Sequence, residues 1–390
     1  MVNKKLEYNN GITLVALVIT IIILLILATI SIQSLTNTGL FAKAQEAKEK
    51  TRNAEENQAK TLNEYEDELN KYVSGTIKAP FNGTTVTDAI QYADILNNNN
   101  NTELKDVYGN KIVVPAGFKI TNDASTVDKG IVIEDATSGA TAGSQFVWIP
   151  VGKIYTDTAK TEANAKTIEL GRYEFNQNGI KSAYSGNYTE EDSNTASTIQ
   201  NKGNTIAKNI TNFKNSVTQN DGYYIGRYEA RTATARTSAD NTLTQITEKG
   251  TDQVYNYVTQ LQASQLAQNM YNSSKFTSDL INSYAWDTAT LFLQTCGTNA
   301  TYSRQNSLNT TLLQTGTNTQ SIKDVQCNIY DMASNVMEWI TETSNDSNNP
   351  CVVRGGNYSY NYHYTNDRIG SNTSSSYDDI GFRSLLFVNI

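Results

Sequence analysis

Side chains that commonly do chemistry are scarce in this chain of 390 residues, which holds three cysteines, Cys296, Cys327 and Cys351, and a single histidine, His363. No two cysteines have the CxxC spacing, and one imidazole beside them argues against a zinc site. One disulfide with a spare thiol and three unpaired thiols both remain open. The sequence has no HExxH, GxSxG or GxxxxGK[ST] string, and a lone histidine cannot serve both a serine-type and a metal-type site. Two carboxylates brought together by the fold, Glu174 and Glu229 for example, would make an acid and base pair, but spacing alone does not test it.

One stretch is rich in a different chemistry. From Asn357 to Ile380 the chain reads NYSYNYHYTNDRIGSNTSSSYDDI, 24 residues with 5 Tyr, 5 Ser, 4 Asn, 3 Asp and single His, Arg and Gly. Tyrosine offers a rigid amphipathic contact surface, and Asn and Ser offer adaptable hydrogen bonds, as in antibody combining sites. The candidate contact residues are Asn357, Tyr358, Tyr360, Tyr362, His363, Tyr364, Asn366, Asp367, Asn372, Tyr377 and Asp378. Tyr358, Tyr360, Tyr362 and Tyr364 alternate, so in an extended strand they would share one face. A half-buried strand with cross-strand tyrosine pairs, or a polar loop in an Asn-rich protein, explains the same letters.

The composition of this stretch also has a genetic reading. An Asn codon altered at one adenine yields Tyr, His, Asp, Ile, Thr or Ser; with Asn itself this set covers 22 of the 24 residues, all but Arg368 and Gly370. Adenine-directed mutagenesis would leave that signature. So would an adenine-rich genome, since Asn and Tyr abound upstream as well.

The elements that position these residues begin at the other end of the chain. Ile12 to Ile32 is uncharged and, as a helix, about 31 Å long, the thickness of a bilayer core. Lys4 and Lys5 precede it, which predicts a cytoplasmic N-terminus and an exterior remainder; a cleaved secretory signal is the competing reading. Leu40 to Val73 contains no Gly or Pro and predicts a continuous helix. Leu62, Tyr65, Leu69, Tyr72 and Val73 form a narrow apolar stripe on it, either a docking face or part of a solvated stalk. Turn-forming residues then predict a linker over 74–103. In the following domain, 104–390, strands are expected at Lys111–Val114, Gly130–Ile133, Phe146–Val151 and Tyr223–Tyr228, and helices at Gln253–Tyr271 and Ile281–Gln294. That mixture is α+β, with a polar insertion over about 156–220. The net charge of −8 leaves no basic stripe, which excludes nucleic acid as an expected partner.

A basic leader ending in Gly11, then Ile12, Thr13, Leu14 and the apolar run, resembles type IV prepilins and pseudopilins over roughly the first 70 residues. The resemblance implies a leader at 1–11, cleavage after Gly11 by a prepilin peptidase, methylation of Ile12, a pilin helix at 12–32, a helical stalk at 33–73 and possible assembly with other pilins. Ala16 stands where that family usually has the glutamate that pairs with a neighbour's terminal amine. Anchoring is therefore implied and polymerisation is left open.

Farther on, FVWIPVG (Phe146 to Gly152), YYIGRYEA (Tyr223 to Ala230), YAWDTA (Tyr284 to Ala289), NIYDMASNVMEWI (Asn328 to Ile340), VVRGG (Val352 to Gly356) and GFR (Gly381 to Arg383) occur in one order. As a set they resemble the formylglycine-generating-enzyme, or sulfatase-modifying-factor, superfamily, whose fold is a variant of the C-type lectin fold. In that frame Trp339, Arg354, Gly355, Gly356, Gly381, Phe382 and Arg383 are structural, Trp339 as a core aromatic and Arg383 paired with a buried acceptor. The resemblance also implies a calcium site with Asp331 and Glu338 as side-chain ligands, although Asp331 could equally cap or turn the chain. The family's two copper-binding cysteine positions fall on Tyr360 and Thr365, which supply no thiolate, so oxidase chemistry is not expected. A variable stretch between RGG and GFR resembles targets of diversity-generating retroelements.

These readings converge on a pilin-like, membrane-anchored protein at the bacterial cell surface, whose C-type-lectin-like domain binds an exterior protein or glycan through residues 357–380. Two alternatives stand beside it: a diverged enzyme of the sulfatase-modifying superfamily, and a structural minor pilin.

Overall fold

The computed structural model describes residues 14–32, 37–73, 81–92, 94–190, 209–316 and 324–390. Gly11 and Ile12, and with them the leader and its cleavage point, lie outside these residues. The chain divides into two units, Met1–Ala79 and Pro80–Ile390.

The first unit is helical. α1, Leu14–Ile32, is an apolar, uncharged run of 19 residues, and α2, Asn37–Val73, has 37. Side chains of α1 are described from Leu14 to Ile26, where the large apolar ones are exposed. Among the described residues no helix is long and apolar enough to cross a membrane. On α2 the polar surface carries i,i+4 pairs such as Lys50–Glu46 at 2.7 Å, which add a few tenths of a kcal/mol each to a helix. Leu62 and Tyr65 are exposed on it; the side chains of Leu69, Tyr72 and Val73 lie outside the described residues.

The second unit begins earlier than expected. Instead of a linker running to residue 103, a short helix, α3 (Val86–Tyr92), buries Val86 and Ala89, and Leu96 joins the same core. Asn and Gly runs marked turns correctly, but three apolar side chains among them find a core to enter. The expected polar insertion at 156–220 is also partly corrected. Ile168, Tyr173, Phe175, Phe213 and Val217 belong to a core cluster, the last two on α4 (Ile210–Asn220). Residues 191–208 of that stretch lie outside the described set.

A six-stranded sheet runs in the order Phe276–Leu280, Ser384–Val388, Gly222–Gly226, Gln145–Pro150, Val132–Asp135, Phe118–Ile120. Its central strands are buried on both faces. Side chains alternate across a strand, so Phe146 and Trp148 enter one cluster while Val147 and Ile149 enter the other. Tyr224 and Tyr223 divide in the same way. The predicted Lys111–Val114 strand is present with those bounds. Of the helix expected over Gln253–Tyr271 only α5, Gln260–Gln268, forms, capped reciprocally by Thr259 and Gln262. The preceding Gln253–Val254 is a strand instead. α6 runs from Ser283 to Cys296, with Asn282 as its N-cap.

A second sheet of five strands positions the Tyr-rich segment. Met337–Ser344 pairs antiparallel with Cys351–Arg354, which pairs with Arg368–Ser371, while Ile380–Phe382 returns parallel to Met337–Ser344. Residues 357–380 are therefore two loops flanking one strand. Tyr358 to Tyr364 do not form the extended strand that their alternation allowed; turns interrupt it, because its backbone groups are bonded to neighbouring loops.

Candidate ligand-binding surface

Beneath the segment lies a largely buried ionic layer. Arg354, fully buried, donates from Nη2 to Asp287 Oδ1 at 2.6 Å. Arg368 reaches the other oxygen of Asp287 and both oxygens of Glu342, at 3.0 and 2.9 Å. Arg172 closes the layer on Glu342. Burial and the neighbouring Arg368 depress the pKa of Arg354, whereas Arg368, despite its own burial, is held above the ordinary arginine range by Asp287 and Glu342. Three guanidiniums share two carboxylates, so removing Asp287 or Glu342 would leave buried guanidinium charge uncompensated, whereas each carboxylate keeps an arginine when one arginine is lost.

This layer and its neighbours hold the backbone of the first loop. Arg354 Nε donates to the carbonyl of Asp367 at 2.8 Å, and Trp286 Nε1 to that of Thr365 at 3.0 Å. The Tyr358 amide donates to Asn335 O at 2.9 Å, the Thr365 amide to Gln305 O at 3.0 Å and the Asn366 amide to Ser303 O at 3.1 Å. Gly355, at φ +80°, and Gly356 let the chain pass close to a neighbouring loop: a Cβ on either would stand 2.6 Å from Met332 O or 2.3 Å from Ala333 O.

Side chains of the segment then divide. Asn357 is buried, donating to Asp379 Oδ2 at 2.9 Å and accepting from the Tyr360 amide at 2.8 Å. It joins the two loops and is corrected from a contact residue to a framework one. Asn366 and Asp367 are half-buried, and Asp367 Oδ2 accepts from the Tyr364 amide at 3.0 Å. Tyr364 lies under the Arg304 guanidinium, 3.9 Å from the ring centroid. Facing solvent are Tyr360 and Tyr362, 49% and 62% exposed, with ring centroids 5.6 Å apart; His363 packs on Tyr362 at 4.4 Å. Tyr377, Asp378 and Asn372 are exposed on the second loop. The Tyr358 hydroxyl bridges the loops to Asp378 Oδ2 at 2.7 Å; burial and that carboxylate push its pKa up.

A neighbouring loop missed from the sequence borders this face. Asn306 Nδ2 donates to Asn361 O at 2.7 Å, and Asn306 bridges Tyr364 through the backbone. The loop exposes Leu308 and Leu312. Leu308 and the adjacent Leu312 and Leu313 in a polar stretch were the available signal.

The other expected site residues fall in the core. Trp339 is buried and donates from Nε1 to Val258 O at 2.7 Å; Phe382 is buried as well. Arg383 engages both oxygens of Glu338, at 3.1 and 2.6 Å. Glu338 is thereby taken as an ion-pair partner, and the calcium expectation for Asp331 and Glu338 does not fit these donors. Among the described residues no group of three or more His, Cys, Asp or Glu could hold a metal ion. Asp331, buried and beside Asp324, is pushed up to about 7. Glu174 accepts from the Ser185 amide near the surface, while Glu229 is fully buried against Asn335 and Val336. The two share no hydrogen-bond partner among the described residues, so the structure does not assemble them as an acid and base pair.

No family model and no curated protein matches the chain. Among solved structures, one called Treponema denticola variable protein 1 is similar at 12% identity and a TM-score of 0.33, covering 64% of this chain and 98% of its own. The crystal structure of CarF is similar at 16% identity and a TM-score of 0.26, covering 35% of this chain and 67% of its own. Both likenesses are too loose to carry an argument about fold or function.

Proposed function

We propose that the protein is a surface-displayed binding protein whose recognition face is the pair of loops within residues 357–380, centred on Tyr360, Tyr362 and Tyr377. One observation carries this reading: Arg354 and Trp286 hold the backbone of the first loop and Asn256 and Tyr257 that of the second, while the tips give about half or more of each tyrosine's surface to solvent. Rigid aromatic side chains on an ordered backbone lose little entropy on binding, which is the economy of an antibody combining site.

Diversification by adenine-directed mutagenesis belongs to the same proposal. The two residues of the segment that lie outside the Asn-derived set, Arg368 and Gly370, both sit on its internal strand, Arg368–Ser371. Arg368 belongs to the ionic layer, and a Cβ on Gly370 would stand 3.2 Å from Asn349. Framework need thus explains both exceptions.

Display is proposed on the N-terminal sequence: Lys4 and Lys5 ahead of the uncharged apolar run Ile12 to Ile32 as anchor and the long α2 as stalk, with the C-terminal domain exterior. The missing thiols at Tyr360 and Thr365 favour binding over oxidase chemistry.

The test is an array of surface proteins and glycans probed with the full chain and with a Tyr360→Ser/Tyr362→Ser variant. Spots bound by the first and lost by the second support the reading. Equal retention by both places recognition elsewhere and overturns it.

A further inference from the structure

The binding face uses none of the three cysteines. Cys351 lies in the Cys351–Arg354 strand, within one core cluster. Cys296 ends α6 and packs against both clusters, and Cys327 packs against the second. Two observations bring Cys296 and Cys327 together. Gln326, the residue before Cys327, accepts through Oε1 from the Thr298 amide at 2.8 Å and its hydroxyl at 3.1 Å, so the chain just beyond Cys296 is bonded to the chain just before Cys327. Cys327 also donates from Sγ to the Asp128 carbonyl at 3.7 Å, and burial, with the nearby Asp128 charge, pushes both thiols above the ordinary range.

The backbone at Cys327 adds a third observation. Cys327 and Asn328 are the central residues of a tight hairpin between Val325–Gln326 and Ile329–Tyr330, with φ of +45° and +66°. Asn accepts that region readily and cysteine rarely. A residue held there against its backbone preference calls for a reason of its own.

We propose that Cys296 and Cys327 form a disulfide, which rests on the exterior placement of the domain proposed above. Both thiols are free in the structure. In the oxidation two S–H bonds break and one S–S bond forms. Two protons and two electrons pass to a disulfide-type oxidant, whose own S–S bond is cleaved to two thiols. The link would close the chain from Cys296 to Cys327, which contains the Leu308 and Leu312 loop beside the tyrosine face. It would staple the base of that wall while leaving its tip free.

The test equilibrates the full chain, folded, with oxidised and reduced glutathione, then counts thiols after denaturation and maps non-reduced peptides. The expected result is one remaining thiol and a Cys296–Cys327 peptide lighter by two hydrogens. Cys351→Ala should leave no thiol, and Cys296→Ser should leave two. Three thiols in the wild-type chain, or a link to Cys351, overturn the pairing without touching the exterior placement. A pair that oxidises in the buffer yet arrives reduced from intact cells overturns the exterior placement, and with it the bond in the cell.

Discussion

Within residues 357–380 two regions of similar composition do opposite work. At the base, Asn357, Thr365 and Arg368 are engaged by buried partners, and the loop carbonyls are bonded to Arg354 and Trp286. At the tips, Tyr360, Tyr362 and Tyr377 give about half or more of their surface to solvent. Tyrosine serves on both sides of the divide, since Tyr358 is tied to Asp378 and Tyr364 lies under Arg304 while the tip rings stay exposed. Where its neighbours stand decides which.

The comparison can be broken most severely from beneath. Arg354→Ala removes the donors to Asp287 Oδ1 and to the Asp367 carbonyl, while Arg368 still holds the other oxygen of Asp287, and should cost about 3 kcal/mol, since a buried acceptor left unsatisfied costs about 1–3 kcal/mol. Denaturant unfolding of the full chain checks it, with a loss of the C-terminal domain's cooperative transition as the extreme outcome.

The framework should also respond to pH. Burial pushes Glu248 up to about 8, its Oε1 accepting from the Ser384 amide at 3.1 Å. An acid whose folded pKa lies above its unfolded value takes up protons on folding, so its contribution is full below about 4.5 and lost as pH rises through about 8. Asp331, pushed up to about 7, acts in the same direction. Thermal stability of the full chain should fall between pH 5 and pH 8. Glu248→Gln should flatten the fall and raise Tm at pH 8 by roughly 1–2 °C, a gain of about 1 kcal/mol in a unit of this size.

Asn357→Ala sharpens the contrast inside the segment itself. Losing the bond to Asp379 and the acceptor for the Tyr360 amide should cost about 1–2 kcal/mol by thermal unfolding. An unchanged Tm would return Asn357 to the contact set.

The tips should show the smallest stability effect and the largest effect on binding. Tyr360→Ser and Tyr362→Ser should each change stability by less than about 0.5 kcal/mol. Each should weaken a captured ligand by about 2 kcal/mol or more, the mark of an aromatic hot spot. Calorimetry and equilibrium titration on the same variants separate the two readouts.

Much of this contrast was legible before any coordinates. Apolar runs marked Lys111–Val114, whose last three residues are buried in a two-stranded sheet, and the stretch around Phe146–Val151, where a central strand buried on both faces leaves no polar alternation to blur it. Arg383 and Trp339 read as core residues and lie in the core. Three things were not legible. Alternating tyrosines imitated a strand, since period two says nothing about hydrogen bonds from the Ser303–Gln305 and Asn335 loops. Asn357 carried the same letter as a contact residue until Asp379 was seen beside it. Glu338 had the right oxygens for calcium, but Arg383, 45 positions away in sequence, takes both. Each miss comes from a partner distant in sequence.

The most direct test reads residues 357–380 in many siblings of one cell lineage by deep sequencing of the gene's 3′ end. The account predicts substitutions at adenine-derived codons, concentrated at exposed positions such as Tyr360, Asn361, Tyr362, Asn372, Tyr377 and Asp378. Arg354 to Gly356, Arg368, Gly370 and Gly381 to Arg383 should stay fixed. A segment as invariant as its flanks, or one that changes at Asn357 and Thr365 as often as at the tips, would contradict it.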